Sequence, residues 1–367
     1  MPPVLPRRQA LLTLAALAAP GTSEAKRKKP TAEPAAGPDY SRHEGARAFA
    51  AELSITTGLP LPWLHRFIGQ ARRTEAVRKL IMPPPAGTAK NWAAYRARFV
   101  EPQRIAAGLA FWRDHETWLR EAEERWGVPA DIVVGVIGVE TFYGRITGSF
   151  RVIDALATLA FDFPPGRKDR SEFFRSELGE FMGLCASQGT DPLSVKGSYA
   201  GAMGLPQFMP SSINRWAVDM DGDGRTDLHG SAADAIGSVA HYMAAFGWET
   251  GLPTHHAVAA PVDTADRAAL LAPDIVPSFS AAQMAERGAR LSGVASDAGR
   301  THPGLLALVE LQNGDAAPSY VAGTKNFWVV TRYNWSSYYA MAVIDLGAAV
   351  GAARTARTAR TAAKVSG

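Results

Sequence analysis

The sequence predicts a mainly α protein of the α+β class. Three observations carry this: apolar residues spaced three and four apart over 41–127, an apolar helical run opened by a proline over 129–143, and β-branched, aromatic segments confined to 305–332. At 367 residues, 47% of them hydrophobic, the chain can bury a large core, and one main domain with smaller ones attached is expected. That composition excludes fibrous and disordered classes.

From the N-terminus, Arg7 and Arg8 precede the apolar stretch at 10–19, and Ser23-Glu24-Ala25 offers a cleavage site. Residues 1–25 are therefore expected to be a signal peptide, which makes the mature protein periplasmic or secreted. RRQALL is a partial twin-arginine signal, so the export route stays open. The single cysteine, Cys185, is far from the leader, so no lipid anchor is expected and the mature protein is predicted soluble. It also excludes an internal disulfide and any cysteine-based metal cluster, and reads as a small core residue.

Residues 26–40, rich in Lys, Pro and Ala, predict a disordered linker. A helical domain follows over 41–127, marked by Phe49, Leu53, Leu64, Phe67 and Ile68, then Trp92, Tyr95, Phe99, Leu109, Trp112, Trp118 and Leu119, with Pro102 starting or interrupting a helix. Pro129 suits the first turn of a buried helix that delivers Glu140 near its end. Further helices are predicted at 152–161, 170–187, 210–217 and 233–246. The Ala-, Pro- and Asp-rich 252–303 is poorly periodic and reads as an inserted or partly ordered element. Short strands are predicted at 305–311, 318–321 and 327–332, then a helix at 335–347 and a disordered basic tail over 348–367. These elements group into a catalytic core at 128–250, a small mixed domain at 251–324 and a C-terminal part of the core at 325–347.

The net charge of +4 is unevenly placed. Ten basic residues and one acid lie outside 30–350, leaving a body of 29 basic against 34 acidic residues. Basicity belongs to the tails, which read as solubilising ends or as electrostatic tethers to an anionic wall or membrane surface. A mildly acidic body without a base-reading motif argues against nucleic acid.

Four motifs carry chemistry. In GVIGVETFYG, residues 135–144, Glu140 stands alone among Val136, Ile137, Val139 and Phe142, where lost solvation raises a carboxyl towards the range of a general acid. A surface Glu near a helix end is the competing reading. In DMDGDGRTDL, residues 219–228, Asp219, Asp221, Asp223 and Asp227 occupy loop positions one, three, five and nine, Gly224 position six and the Arg225 carbonyl position seven, the oxygen pattern of an EF-hand calcium loop. Gly230 replaces the usual position-twelve Glu, and Asp234 either closes a longer loop or caps the next helix. With every ligand from one loop, the ion is expected to be structural. In SYAGAMGLPQFMPSS, residues 198–212, small residues allow close backbone approach while Ser198, Tyr199 and Gln207 can bond sugar hydroxyls or acetamides; a packed turn is the alternative. In RYNWSSYYAMAV, residues 332–343, Asn334 either caps a helix, with Ser337 three residues on, or faces a cleft.

In this order the four motifs resemble the membrane-bound lytic transglycosylase B family of peptidoglycan-cleaving enzymes. The resemblance runs over about 45–347 and is strongest over 128–250 and 325–345. It implies a lysozyme-like core carrying the calcium loop, flanked by a helical domain and a small mixed domain, with glycan bound in the cleft between them. It places the catalytic acid on Glu140 and the saccharide contacts on Ser198, Tyr199, Met203, Gln207, Tyr333 and Asn334, with Tyr339 a further candidate. Where the family has two adjacent arginines before a Phe-Phe or Tyr-Phe pair, this chain has only Arg170, with Asp169 beside it. The implied reaction is non-hydrolytic: Glu140 protonates the bond between N-acetylmuramic acid and N-acetylglucosamine, then acts as base on the 6-hydroxyl of the same muramyl residue, giving a 1,6-anhydro end. The sugar's acetamido group takes the place of a second carboxylate, which the motifs do not supply. The expected protein is a monomer using calcium but no organic cofactor. Rival readings are a hydrolytic muramidase sharing Glu140, a non-catalytic calcium-stabilised wall-binding module and a calcium sensor.

Overall fold

In a computed structural model of the chain, residues 37–83, 90–292 and 302–365 are described. The expected signal peptide, most of the linker and part of the 252–303 segment lie outside them. Among the described residues the chain divides into two units, one from 90–146 and 216–365, the other from 37–83 and 147–215. The boundaries expected at 127/128 and 250/251 fall inside the first unit. No described helix is long and apolar enough to cross a membrane.

In the second unit α1 (Glu44–Thr57), α2 (Leu61–Gln70) and α3 (Glu75–Leu80) come first. His43 caps α1 by accepting from the Ala46 N–H, and Gly58 ends it in the left-handed region that favours glycine. Tyr40, within the expected linker, is instead buried and donates to Asp162 at 2.7 Å, so the ordered domain begins earlier than 41. The unit's core is α8 (Val152–Phe161), apolar on nearly all sides and packed on α9 (Ser171–Gln188) through Phe174, Leu178, Phe181 and Met182. Cys185 is buried on α9. A two-stranded antiparallel pair, β1 (Phe150–Arg151) with β2 (Lys196–Gly197), leads into the 198–212 motif, which ends in α10 (Pro210–Trp216).

The first unit contains α4 (Trp92–Arg96), α5 (Pro102–Asp114), α6 (Glu116–Trp126), α7 (Ala130–Thr141) and α11 (Ala232–Ala245). Pro102 is the first residue of α5, where its missing N–H costs nothing. The sparsely periodic 252–303 segment supplies β3 (His255–Ala259), α12 (Thr264–Leu271), α13 (Ala281–Glu286) and β4 (Arg290–Ser292). With β5 (Ala307–Asn313) and β6 (Ala316–Gly323) its strands make an antiparallel sheet of order β4-β3-β6-β5, over a small core of Leu270, Met284, Leu306 and Leu308.

Two expectations are corrected here. Residues 327–332 are not a strand but part of α14 (Lys325–Tyr333). The Thr324 side chain accepts from the Asn326 N–H, and the buried Phe327, Val330 and Thr331 follow helical spacing, which overrides their β-branched bias. The expected disordered tail is the continuation of α15 (Ser337–Val365). Alanine and arginine are strong helix formers, Val350 is buried, and Arg354 pairs with Glu116 and lies over the Trp112 ring at 5.2 Å.

Candidate active site

Helix α7 carries ten buried residues out of twelve; the two exceptions are acids, Asp131 in its first turn and Glu140 near its end. Close packing sets its position. A Cβ on Gly135 would meet the Val343 carbonyl oxygen at 2.2 Å, and one on Gly347 would meet that of Asp131 at 2.2 Å. Helix α15 therefore lies against α7 at a separation only glycine permits, and its first turn brings Tyr339 to the acid. The Tyr339 hydroxyl donates to Glu140 Oε1 at 2.6 Å.

Glu140 is half-buried, with its carboxyl crowded enough that burial pushes its pKa up to about 7. The Tyr339 hydroxyl opposes this by stabilising the ionised form. No other carboxylate among the described residues contributes to the shift. Tyr339, only 3% exposed, is held well above an ordinary phenol, first by burial and then by the Glu140 charge; Tyr333 is raised by the same causes. The Tyr333 and Tyr339 rings stack 14° from parallel with centroids 6.2 Å apart, and Tyr242 meets Tyr333 edge-on at 5.0 Å.

One residue of this cluster escapes sequence reasoning as a site residue. Burial and then the Glu140 charge push Tyr95, on α4, up to about 12, so it lies within electrostatic reach of the acid. Its only signal was the 92/95/99 aromatic spacing, which reads equally well as core. Asn334 ends α14, and α15 is capped by Ser336, whose Oγ accepts from the Tyr339 N–H at 3.3 Å. Asn334 therefore does not cap that helix; its Oδ1 is buried with no partner among the described residues.

In the second unit, Ser198, Tyr199, Met203 and Gln207 share one tight loop. Ser198 Oγ accepts from the Ala202 and Ala200 N–H groups at 3.0 and 3.3 Å. Met203 and Phe208 exchange backbone bonds at 2.8 and 3.0 Å, and Gln207, with φ of 51°, donates through Nε2 to the Gly204 and Thr147 carbonyls at 2.9 and 3.1 Å. Gly201, with φ of 88°, packs where a Cβ would meet Leu156 at 2.4 Å, so the small residues serve close packing on α8. Burial raises the Tyr199 hydroxyl, and Arg167 acts against it. Arg170 precedes α9 with its guanidinium 4.6 Å from the Phe173 ring centre.

The acidic loop divides into two sets. Oxygens of Asp219, Asp221 and Asp223 lie within 4.8 Å of one another, with Gly222 and Gly224 at φ of 73° and 86° making the turns. Asp227 instead accepts from the His229 and Gly230 N–H groups, both at 2.9 Å. Asp234, 1% exposed, accepts from the Met220 and Asp227 N–H groups at 2.8 and 2.7 Å, fastening both arms of the loop, while Ser231 caps α11. Three converging carboxylates on a loop braced by buried hydrogen bonds fit a hard cation of the calcium kind.

The profile of the transglycosylase SLT domain family matches residues 41–348. The membrane-bound lytic murein transglycosylase B of Escherichia coli K12 is 36% identical over 334 residues, 87% of this chain and 86% of that protein. The soluble lytic transglycosylase SltB1 of Pseudomonas aeruginosa superposes with a TM-score of 0.75 at 40% identity, over 85% of this chain and 99% of that one. The E. coli lytic transglycosylase Slt35 in complex with calcium gives 0.74 at 36% identity, over 87% and 96% of the two chains. The mostly helical, lysozyme-like fold is common to these proteins and to this one. The chain belongs to the transglycosylase SLT domain family and is a lytic transglycosylase of peptidoglycan.

Proposed function

We propose that Glu140 is the single acid and base of a non-hydrolytic cleavage between N-acetylmuramic acid and N-acetylglucosamine. One observation carries this reading: a carboxyl with a pKa of about 7, held at 2.6 Å by a buried tyrosine hydroxyl, without a second carboxylate acting on it. Near neutral pH such a group is protonated often enough to donate to the leaving oxygen, and the Tyr339 bond then steadies the carboxylate that remains. The carboxylate next takes the proton of the muramyl 6-hydroxyl, which closes on C1. The products are a free N-acetylglucosamine 4-hydroxyl and a 1,6-anhydromuramyl end, with the proton returned to Glu140. Sugar contacts are assigned to Tyr333 and Asn334 in the first unit and to Ser198, Tyr199, Met203, Gln207 and Arg170 in the second. The unpartnered Asn334 Oδ1 suits a hydroxyl or acetamide N–H donor.

Calcium is proposed as a structural ion held by Asp219, Asp221 and Asp223, with Arg225 and Asp227 as further oxygen donors and Asp234 bracing the loop. The support is the convergence of the three carboxylates and the calcium complex of the Slt35 relative. The periplasm, where peptidoglycan lies, is the proposed compartment.

The test is Glu140→Gln with purified sacculi. Activity is expected to fall by about 10²–10⁴ while glycan binding persists. Anhydro ends in the wild-type products, read by mass spectrometry, support the mechanism. Reducing ends would replace it with hydrolysis, and a fully active Glu140→Gln would remove the assignment.

A further inference from the structure

The turn after Glu140 is strained, and two guanidiniums meet its Phe142 ring, that of Arg145 from within the turn at 4.7 Å and that of Arg104 from α5. Phe142 and Tyr143 have φ of 53° and 57°, followed by Gly144 at 86°. Left-handed conformations at two successive residues with Cβ atoms are costly and persist only where the surroundings enforce them. The turn's own bonds run from the Phe142 N–H to the Gly138 carbonyl at 3.2 Å, Tyr143 N–H to Ile137 at 3.4 Å, Gly144 N–H to Thr141 Oγ1 at 3.1 Å and Ile146 N–H to the Thr141 carbonyl at 2.9 Å.

Arg104, in the first turn of α5, supplies a restraint from outside the turn. Its Nη1 donates to the Gly138 carbonyl at 2.5 Å. The guanidinium lies 4.4 Å from the Phe142 ring centre and 5.2 Å from that of Phe99. The Glu101 carboxylate fixes its backbone, accepting from the Arg104 N–H at 2.6 Å. A cation is thus placed on the carbonyl end of α7, where the helix dipole favours it, and in contact with one of the two strained rings.

We infer that Arg104 is a positioning residue: by gripping Gly138 and Phe142 it fixes the end of α7 and so the aim of the Glu140 carboxyl at the Tyr339 hydroxyl. The inference rests on Glu140 being the acid. Of the titratable groups around Glu140, Tyr339 from α15 bonds it, while Tyr333 from α14 and Tyr95 from α4 are within reach of its charge. Arg104 itself is not among the causes of the Glu140 shift, so a changed Glu140 titration in an Arg104 variant reports altered geometry rather than lost charge.

The experiment compares wild type, Arg104→Lys, Arg104→Gln and Glu140→Gln on soluble glycan strands, well below each melting temperature. Lysine keeps the charge but has neither the flat face nor the rigid fork that lies on the rings. Arg104→Lys is expected to lower kcat by about tenfold with KM within about twofold, since misaiming a reacting group costs rate more than binding. Its alkaline limb should move to higher pH as the Tyr339 bond, which lowers the Glu140 pKa, is weakened. Arg104→Gln should lose more. Wild-type kcat with an unmoved limb in Arg104→Lys overturns the inference, as does lost melting temperature with unchanged kinetics. If Arg104→Gln does not fold, Arg104→Lys decides alone. An active Glu140→Gln removes the acid assignment itself, whereas an inactive Glu140→Gln beside a wild-type Arg104→Lys removes only the role of Arg104.

Discussion

Glu140 owes its chemistry to two opposed influences. Burial raises its pKa to about 7 and the Tyr339 hydroxyl holds it back, so the outcome lies near neutrality rather than far above it. Tyr339→Phe removes only the restraining influence. The acid's pKa should then rise, moving the alkaline limb of kcat to higher pH, while the second step loses the donor that steadies the carboxylate. A kcat loss of about 10- to 100-fold is expected, because a hydrogen bond to a charged group contributes about 1.5–3 kcal/mol. A pH–rate profile checks it, and an unmoved limb would mean that the bond does not govern the acid. The place of Glu140 near the end of a buried helix was legible in the sequence, because a lone acid in an apolar run is conspicuous. The Tyr339 contact to it was not, since the pair is 199 residues apart and local spacing carries no trace of it. Tyr95 was hidden for another reason: an aromatic at helical spacing has the same appearance in a core and in a site.

Helices α7 and α15 act as one device, joined where Gly135 and Gly347 leave room only for backbone. In Gly135→Ala the new methyl would meet the Val343 carbonyl, which cannot swing aside as a side chain can. We expect a loss of about 1–3 kcal/mol, measured as a lower denaturation midpoint at unchanged slope. Activity should fall below what that stability loss explains, because forcing the helices apart carries Tyr339 from Glu140. An unchanged midpoint would show that the contact relaxes freely. Helices with plain periodicity, such as α8, were predicted with their bounds, whereas α14 was missed because Val329, Val330 and Thr331 look like a strand until the Thr324 cap is considered. The end of α15 was missed because repeated Ala-Arg-Thr resembles a solvated tail, and its anchors at Trp112 and Glu116 are distant in sequence.

The acidic loop and α7 share the first unit, so ion binding there should raise the melting temperature. An ion at 100 times its Kd adds about 2.7 kcal/mol if only the native state binds it. Calorimetry with millimolar calcium and with chelator measures this, and equal melting temperatures would leave the loop metal-free. The mostly helical class was legible from apolar periodicity. The division into units was not, because each is built from separated stretches of chain and no change in composition marks the crossings at 146/147 and 215/216. That interleaving fixes an order of events during synthesis. Helix α7 is made first, and the tyrosine that bonds Glu140, with the helix that packs on α7, follows only 199 residues after that acid. Until then Glu140 has neither its hydrogen-bond donor nor its α15 packing. A chain ending short of Tyr339 would carry the acid without that donor, so the growing polypeptide cannot form the pair until α15 has begun.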